Sequence, residues 1–251
     1  MNLLAITCSD PKENNDPRDI VELLRMSSLV ELGVQAHDGA MNRGLPRFEW
    51  FESLLRLSEN WIRPFNIAMH VNGEWCADFC NGKLAPELES WMSSGNKNTN
   101  KPTIKRWQLN IMEFMAYDFI TPGKTADVID MFPDREFIFP YNKELRQFIY
   151  ELKEVGAKFS LLFDASYGVG KGPEKWDAPV FEDVPQGYAG GLCAKNLDEN
   201  LNEISALVPT SRDIWIDAEG NLMGPGTRKF DIGRARAYVN AALKWAAAHT
   251  A

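Results

Sequence analysis

The chain has 251 residues, 45% hydrophobic and 25% charged, which is enough to bury one large core as a single domain spanning 1–251. Its net charge of −8 is spread along the sequence with no long basic run, which argues against nucleic acid or an anionic membrane as a partner. No stretch approaches the ~18 consecutive apolar residues of a membrane span.

Met1 to Thr7 carries no basic region and too short an apolar stretch for a secretory signal, so the expected location is cytoplasmic. The cysteines Cys8, Cys76, Cys80 and Cys193 form no CxxC pair, which fits a reducing compartment. Cys76 and Cys80 stand at a spacing that serves a metal on a helix or two core positions on one helical face; with no histidine nearby, the spacing reads as core.

In chain order, β-rich runs alternate with helical stretches. A strand over Leu3–Ser9 precedes a helix over Pro17–Ser27, with Asp16 as its cap and Pro17 in its first turn. A second strand, Leu29–His37, leads to a helix over Phe48–Trp61, and a third, Phe65–Asn72, to one over Pro86–Ser93. A polar segment near 93–102 reads as a flexible loop. Strands over Trp107–Ile111 and Glu136–Pro140 precede helices over Lys124–Met131 and Lys143–Val155. A sixth strand, Phe159–Asp164, is followed by a long loop rich in Gly and Lys over Ser166–Glu182. Strands over Gln186–Gly190 and Ile214–Asp217, with helices over Asn196–Leu207 and Asp231–Ala248, complete the pattern. Eight strands, most with a helix after them, predict an α/β fold: a single closed (β/α)₈ TIM barrel.

Alternation within the strands separates an apolar face from a polar one. The third strand sets Phe65, Ile67, Met69 and Val71 against Asn66, Ala68, His70 and Asn72. The second sets Val30, Leu32 and Val34 against Glu31, Gly33, Gln35 and His37, and the fourth sets Trp107 and Leu109 against Gln108 and Asn110. In a barrel the polar series faces inward and ends at the C-terminal tips, where active sites of this fold lie. The expected cup comprises Thr7, His37, His70, Asn72, Gln108, Asn110, Asp164 and Asp217. Two histidines and two carboxylates at such tips (His37, His70, Asp164, Asp217) also allow a metal-dependent hydrolase or isomerase, although no HxH or HxxxH pair supports a compact metal site. A third possibility is a barrel that binds a small molecule without catalysis.

From the fourth strand onward the motifs resemble phosphoribosylanthranilate isomerase, the (β/α)₈ enzyme of tryptophan synthesis. Trp107-Gln108-Leu109-Asn110 is similar to that family's VQLHG, Leu161-Leu162-Phe163-Asp164 to its LLD strand, and Gly168-Val169-Gly170-Lys171-Gly172 with Trp176 to its GGTGKTFDW loop. Tyr188-Ala189-Gly190-Gly191-Leu192 with Asn196 resembles LAGGLNPENV, and Asp217-Ala218-Glu219-Gly220 stands where the family has DVSSGVE. The resemblance implies an Amadori rearrangement of an aldose to a ketose by general acid and base, with a small-molecule substrate and no metal or cofactor.

It further implies Asp164 as the acid. The family's base is a cysteine in a first-strand KICG motif. Cys8 is the only candidate here, but alternation groups it with Leu4 and Ile6 on the helix side and turns Thr7 inward. Gly190 and Gly191 keep half of the family's backbone grip on phosphate; before Gly220, Ala218 and Glu219 replace small hydroxyl residues in the other half. Lys171 is expected to close over a ligand, and Arg43 or Arg47 to meet an acidic ligand group. The resemblance covers somewhat under half the chain and allows either the orthodox isomerase or a diverged enzyme with the same barrel.

Overall fold

The computed structural model describes residues 1–59, 64–96, 101–111, 120–164 and 172–249. Lys171 and the Gly168 to Gly170 stretch lie outside the described residues, as do 97–100 of the segment expected to be a flexible loop. The described flanks of that segment are tied together: Gly95 and Pro102 form an antiparallel bridge, and the Asn96 amide donates to the Lys101 carbonyl at 2.8 Å.

Eight parallel strands close into a barrel in sequence order, β1 (Asn2–Ser9), β2 (Val30–Ala36), β3 (Asn66–Val71), β4 (Arg106–Leu109), β5 (Glu136–Tyr141), β6 (Ser160–Asp164), β7 (Gln186–Ala189) and β8 (Asp213–Ala218). By density of contacts the chain divides into two units, one of Met1–Gly33 with Leu161–Ala251 and one of Val34–Ser160.

In the first unit, helix α1 (Pro17–Leu24) starts where Asp16 accepts the Arg18 amide at 2.9 Å, and it buries Ile20, Val21, Leu23 and Leu24. It ends three residues before the expected Ser27, because the chain turns there and the Val30 amide donates back to the Ser27 carbonyl. After β8, the turn Gly220–Leu222 leads to the long helix over Ile232–His249. Trp176, between β6 and β7, is fully buried against Phe163 and Tyr188, and its indole N–H donates to Asn200 at 2.9 Å. Arg212 holds the end of the same connection by donating to the carbonyls of Phe181, Glu182 and Val184.

The second unit holds α2 (Asp38–Met41), α3 (Pro46–Glu59), α4 (Gly73–Cys80), α5 (Pro86–Ser93), α6 (Pro122–Met131) and α7 (Arg146–Glu154). Helices α2 and α4 were not anticipated. In α4 the apolar stripe is short, Trp75, Cys76, Phe79 and Cys80, and all four are buried. Cys76 and Cys80 are free thiols, fully buried in this stripe, as the core reading of their spacing requires. Phe48, Phe51 and Trp75 surround Trp91 of α5. The first unit is completed by α8 (Leu197–Leu207) and α9 (Ile232–His249), joined where the Trp245 indole donates to Asn202 at 2.8 Å. Among the described residues no helix is long and apolar enough to cross a membrane.

Candidate functional site

In parallel sheets, residues paired across strands point to the same side, so the ladder register identifies which side chains share a layer. In the first unit one rung runs from Asp164 on β6 through Ala189, Asp217 and Thr7 to Glu31 on β2. Three carboxyls therefore face one way from strands separated in sequence. Thr7 donates to Glu31 Oε1 at 2.8 Å, and Ser9, two residues on, donates to Asp217 Oδ1 at 2.6 Å.

Asp217 is 6% exposed. Burial pushes its carboxyl from the ordinary 3.8 up to about 8; the Ser9 hydroxyl opposes the rise, and the charges of Glu219, Asp164 and Glu31 add to it. A carboxyl in this state keeps its proton near neutrality and can donate it.

Cys8 lies between Thr7 and Ser9 on the opposite face of β1. It is fully buried, and burial first, then the charge of Asp217, drives its thiol pKa well up. On α9, burial above all pushes the phenol of Tyr238 upward, with Cys8 and Asp217 nearby adding to the rise. A thiol held protonated in this way is a poor base.

After β7, Gly190 and Gly191 take positive φ values of 124° and 65°, which only glycine adopts freely. The Gly191 carbonyl accepts from Asn196 at 2.9 Å and Asn221 at 2.7 Å, fixing this loop to the turn that Gly220 begins. Glu219 stands immediately before that turn and contributes to the rise at Asp217.

The second unit carries a separate polar set. Gln108 donates to Asn110 at 2.8 Å, Asn110 to Asn72 at 3.0 Å, and Asn72 to Gln35 at 2.6 Å. The ladder pairs His70 with Gln108 and, one layer below, Ala68 with Arg106. Arg106 lies 3.2 Å from Glu136, which accepts from Ser160 at 2.8 Å. His70 is 1% exposed, and neither ring nitrogen has a hydrogen-bond partner among the described residues. Burial, then the charge of Arg106, lowers its pKa to about 3. His37 sits half-buried before α2, Arg47 is buried and donates to the Gln35 carbonyl at 3.0 Å, and Arg43 is exposed.

The His70 ring gives a stability prediction. Its folded pKa lies below the ordinary 6.5, so its contribution is complete above 6.5 and is lost as pH falls toward 3. By the acid end of that window the loss reaches up to about 4 kcal/mol. Thermal melts of His70→Leu should show a much shallower acid limb than the wild type; identical limbs would contradict the neutral buried ring.

Of the residues expected to form the site, Thr7, Asp164, Asp217, Gly190, Gly191 and Gly220 fall in the first unit. His37, His70, Asn72, Gln108, Asn110, Arg43 and Arg47 fall in the second. Ser9, Glu31 and Gln35 also belong to these sets and were not among the residues expected to form the cup. Their signal was present: Ser9 continues the alternation of Thr7, and Glu31 and Gln35 that of His37. Among the described residues, no three His, Cys, Asp or Glu side chains come together to hold a metal ion.

No protein-family model matches the chain, and no curated protein matches its sequence. Its class therefore rests on the architecture: a closed parallel (β/α)₈ barrel of the TIM-barrel kind.

Proposed function

We propose that this barrel is an acid–base enzyme acting on a small metabolite, a diverged relative of phosphoribosylanthranilate isomerase. The observation that carries this reading is a buried Asp217, hydrogen-bonded to Ser9 and on the same rung as Asp164, that holds its proton at neutral pH. The motif resemblance makes Asp164 the acid. The geometry favours Asp217 as the proton donor, with Asp164 two strands away on the same rung. In an aldose–ketose rearrangement, a donor of this kind protonates the ring or carbonyl oxygen as a neighbouring base removes the C2 proton. Thr7 is the inward residue where the family has its base, and its hydroxyl is already given to Glu31.

The phosphate grip argues for divergence from the orthodox substrate. Glu219 stands in its second half, where a carboxylate repels phosphate, and the nearby rung carries the carboxyls of Asp164, Asp217 and Glu31. Gly190, Gly191 and Gly220 remain available as backbone contacts to a ligand.

The test is turnover of phosphoribosylanthranilate, followed by its fluorescence, in the wild type, Asp217→Asn and Asp164→Asn. The expected result is slow wild-type turnover, limited by the acidic half of the phosphate grip, that each substitution lowers by a further factor of about 100. A second reading, a barrel that binds without reaction, is favoured by one observation: Cys8 is buried with its proton held, which leaves the family's base unreplaced. Under that reading the wild type binds the compound without converting it, and the substitutions change affinity alone.

A further inference from the structure

The amide set of the second unit has a direction. Gln108, Asn110 and Asn72 each donate their NH₂ to the next carbonyl, ending on Gln35, and Asn72 also donates to the His70 carbonyl at 2.7 Å. Every link is a neutral hydrogen bond, so each can be exchanged for an equivalent bond at little cost. Beside this chain, on the Gln108 rung, lies an imidazole whose two nitrogens have no partner among the described residues, an arrangement that is costly when left unsatisfied.

We propose that Gln108, Asn110 and Asn72, with Gln35 and His70, form a binding subsite for an uncharged, polyhydroxylated ligand. Its neighbouring hydroxyls replace amide–amide contacts and supply the partners that the His70 ring lacks.

The chemistry follows from what the set offers. A neutral imidazole presents one donor and one acceptor, and a hydroxyl matches both. A hydroxyl inserted between two carboxamides accepts from one and donates to the next, so the direction of the chain is preserved. A phosphate or carboxylate finds no full positive charge among these five side chains. The guanidinium on the same face of β4, Arg106, is engaged by Glu136. A cationic group would meet Arg106 as a like charge. The acid–base reading is not needed for this proposal, because the subsite serves a binding barrel equally well.

The chain has only three histidines, His37, His70 and His249, so ¹⁵N spectra of the imidazoles resolve the ring directly. The probes are ribitol as the neutral polyol and inorganic phosphate as the anion. Ribitol should shift the His70 ring nitrogens saturably and leave His249, stacked on Trp245, unmoved. Phosphate should not shift them. Gln108→Leu should weaken the ribitol response by about tenfold. Asn110→Ala serves as a second variant should the first fail to fold, which the His249 signals report. A His70 ring indifferent to ribitol, an equal response to phosphate, or an affinity unchanged in the folded variant overturns the proposal. So does a long-lived water bound to the ring both before and after ribitol. Binding is read here without turnover, so the result stands apart from the fate of the acid–base assignment.

Discussion

Asp217→Asn is expected to hold its stability as pH rises from 6.5 to 8 while the wild type weakens. The folded-state pKa of Asp217, about 8, lies above its ordinary 3.8. Between those values the folded protein keeps a proton that the unfolded chain has released, so stability declines as pH rises. The contribution is complete below 3.8 and gone once pH has passed 8. His70 acts in the opposite sense, but only below 6.5, so the interval above 6.5 isolates the carboxyl. Over that interval the wild type should lose about 2 kcal/mol, which corresponds to roughly 6 °C in Tm for a chain of this size. Asparagine keeps an oxygen for the Ser9 hydroxyl and has no charge to bury, so its profile should be nearly flat. Parallel melting curves for the two proteins across this interval would show that Asp217 does not hold its proton.

The second large effect is steric. Gly187 on β7 is paired in register with Trp215 on β8, and a Cβ at position 187 would fall deep inside the contact radius of the indole atoms Cε2, Nε1 and Cδ2. Trp215 is 2% exposed and has no open space into which to retreat. Gly187→Ala should therefore destabilise the protein by about 3 kcal/mol, the upper end of ordinary overpacking, and lower Tm by roughly 10 °C. Trp215→Val should relieve most of that loss in the double variant. If calorimetry gives losses that simply add, the indole is not what excludes the methyl group.

The barrel was legible because its evidence is local. Strict alternation in β2 and β3, with Val30, Leu32 and Val34 against Glu31 and Gln35, predicts strands with one apolar face wherever they end up. The same periodicity turned Thr7 inward and Cys8 outward. What local pattern cannot contain is which rung meets which. Ser9 and Asp217 are 208 positions apart, and nothing in either strand alone selects the register that joins them. Trp215 shows the same limit. Alternation alone places it on one face with Asp213 and Asp217, and does not show that its bulk occupies the space that Gly187 leaves without a side chain. Helix α4 lacks the first-turn proline that marks the equally short α5, and its N-cap, Asn72, reads as the end of the third strand.

The ladder between β1 and β8 also bears on how the chain comes into being. A ribosome delivers Val34–Ser160 as one uninterrupted stretch, whose contacts can be completed as soon as it has emerged. The first strand cannot acquire its β8 neighbour until Asp213–Ala218 has been made. The Ser9 hydroxyl therefore waits, while the intervening chain is made, for the carboxyl it will hold. Premature termination before Asp213 should leave a nascent chain with an open β1 edge, the species that a chaperone would be called on to shield.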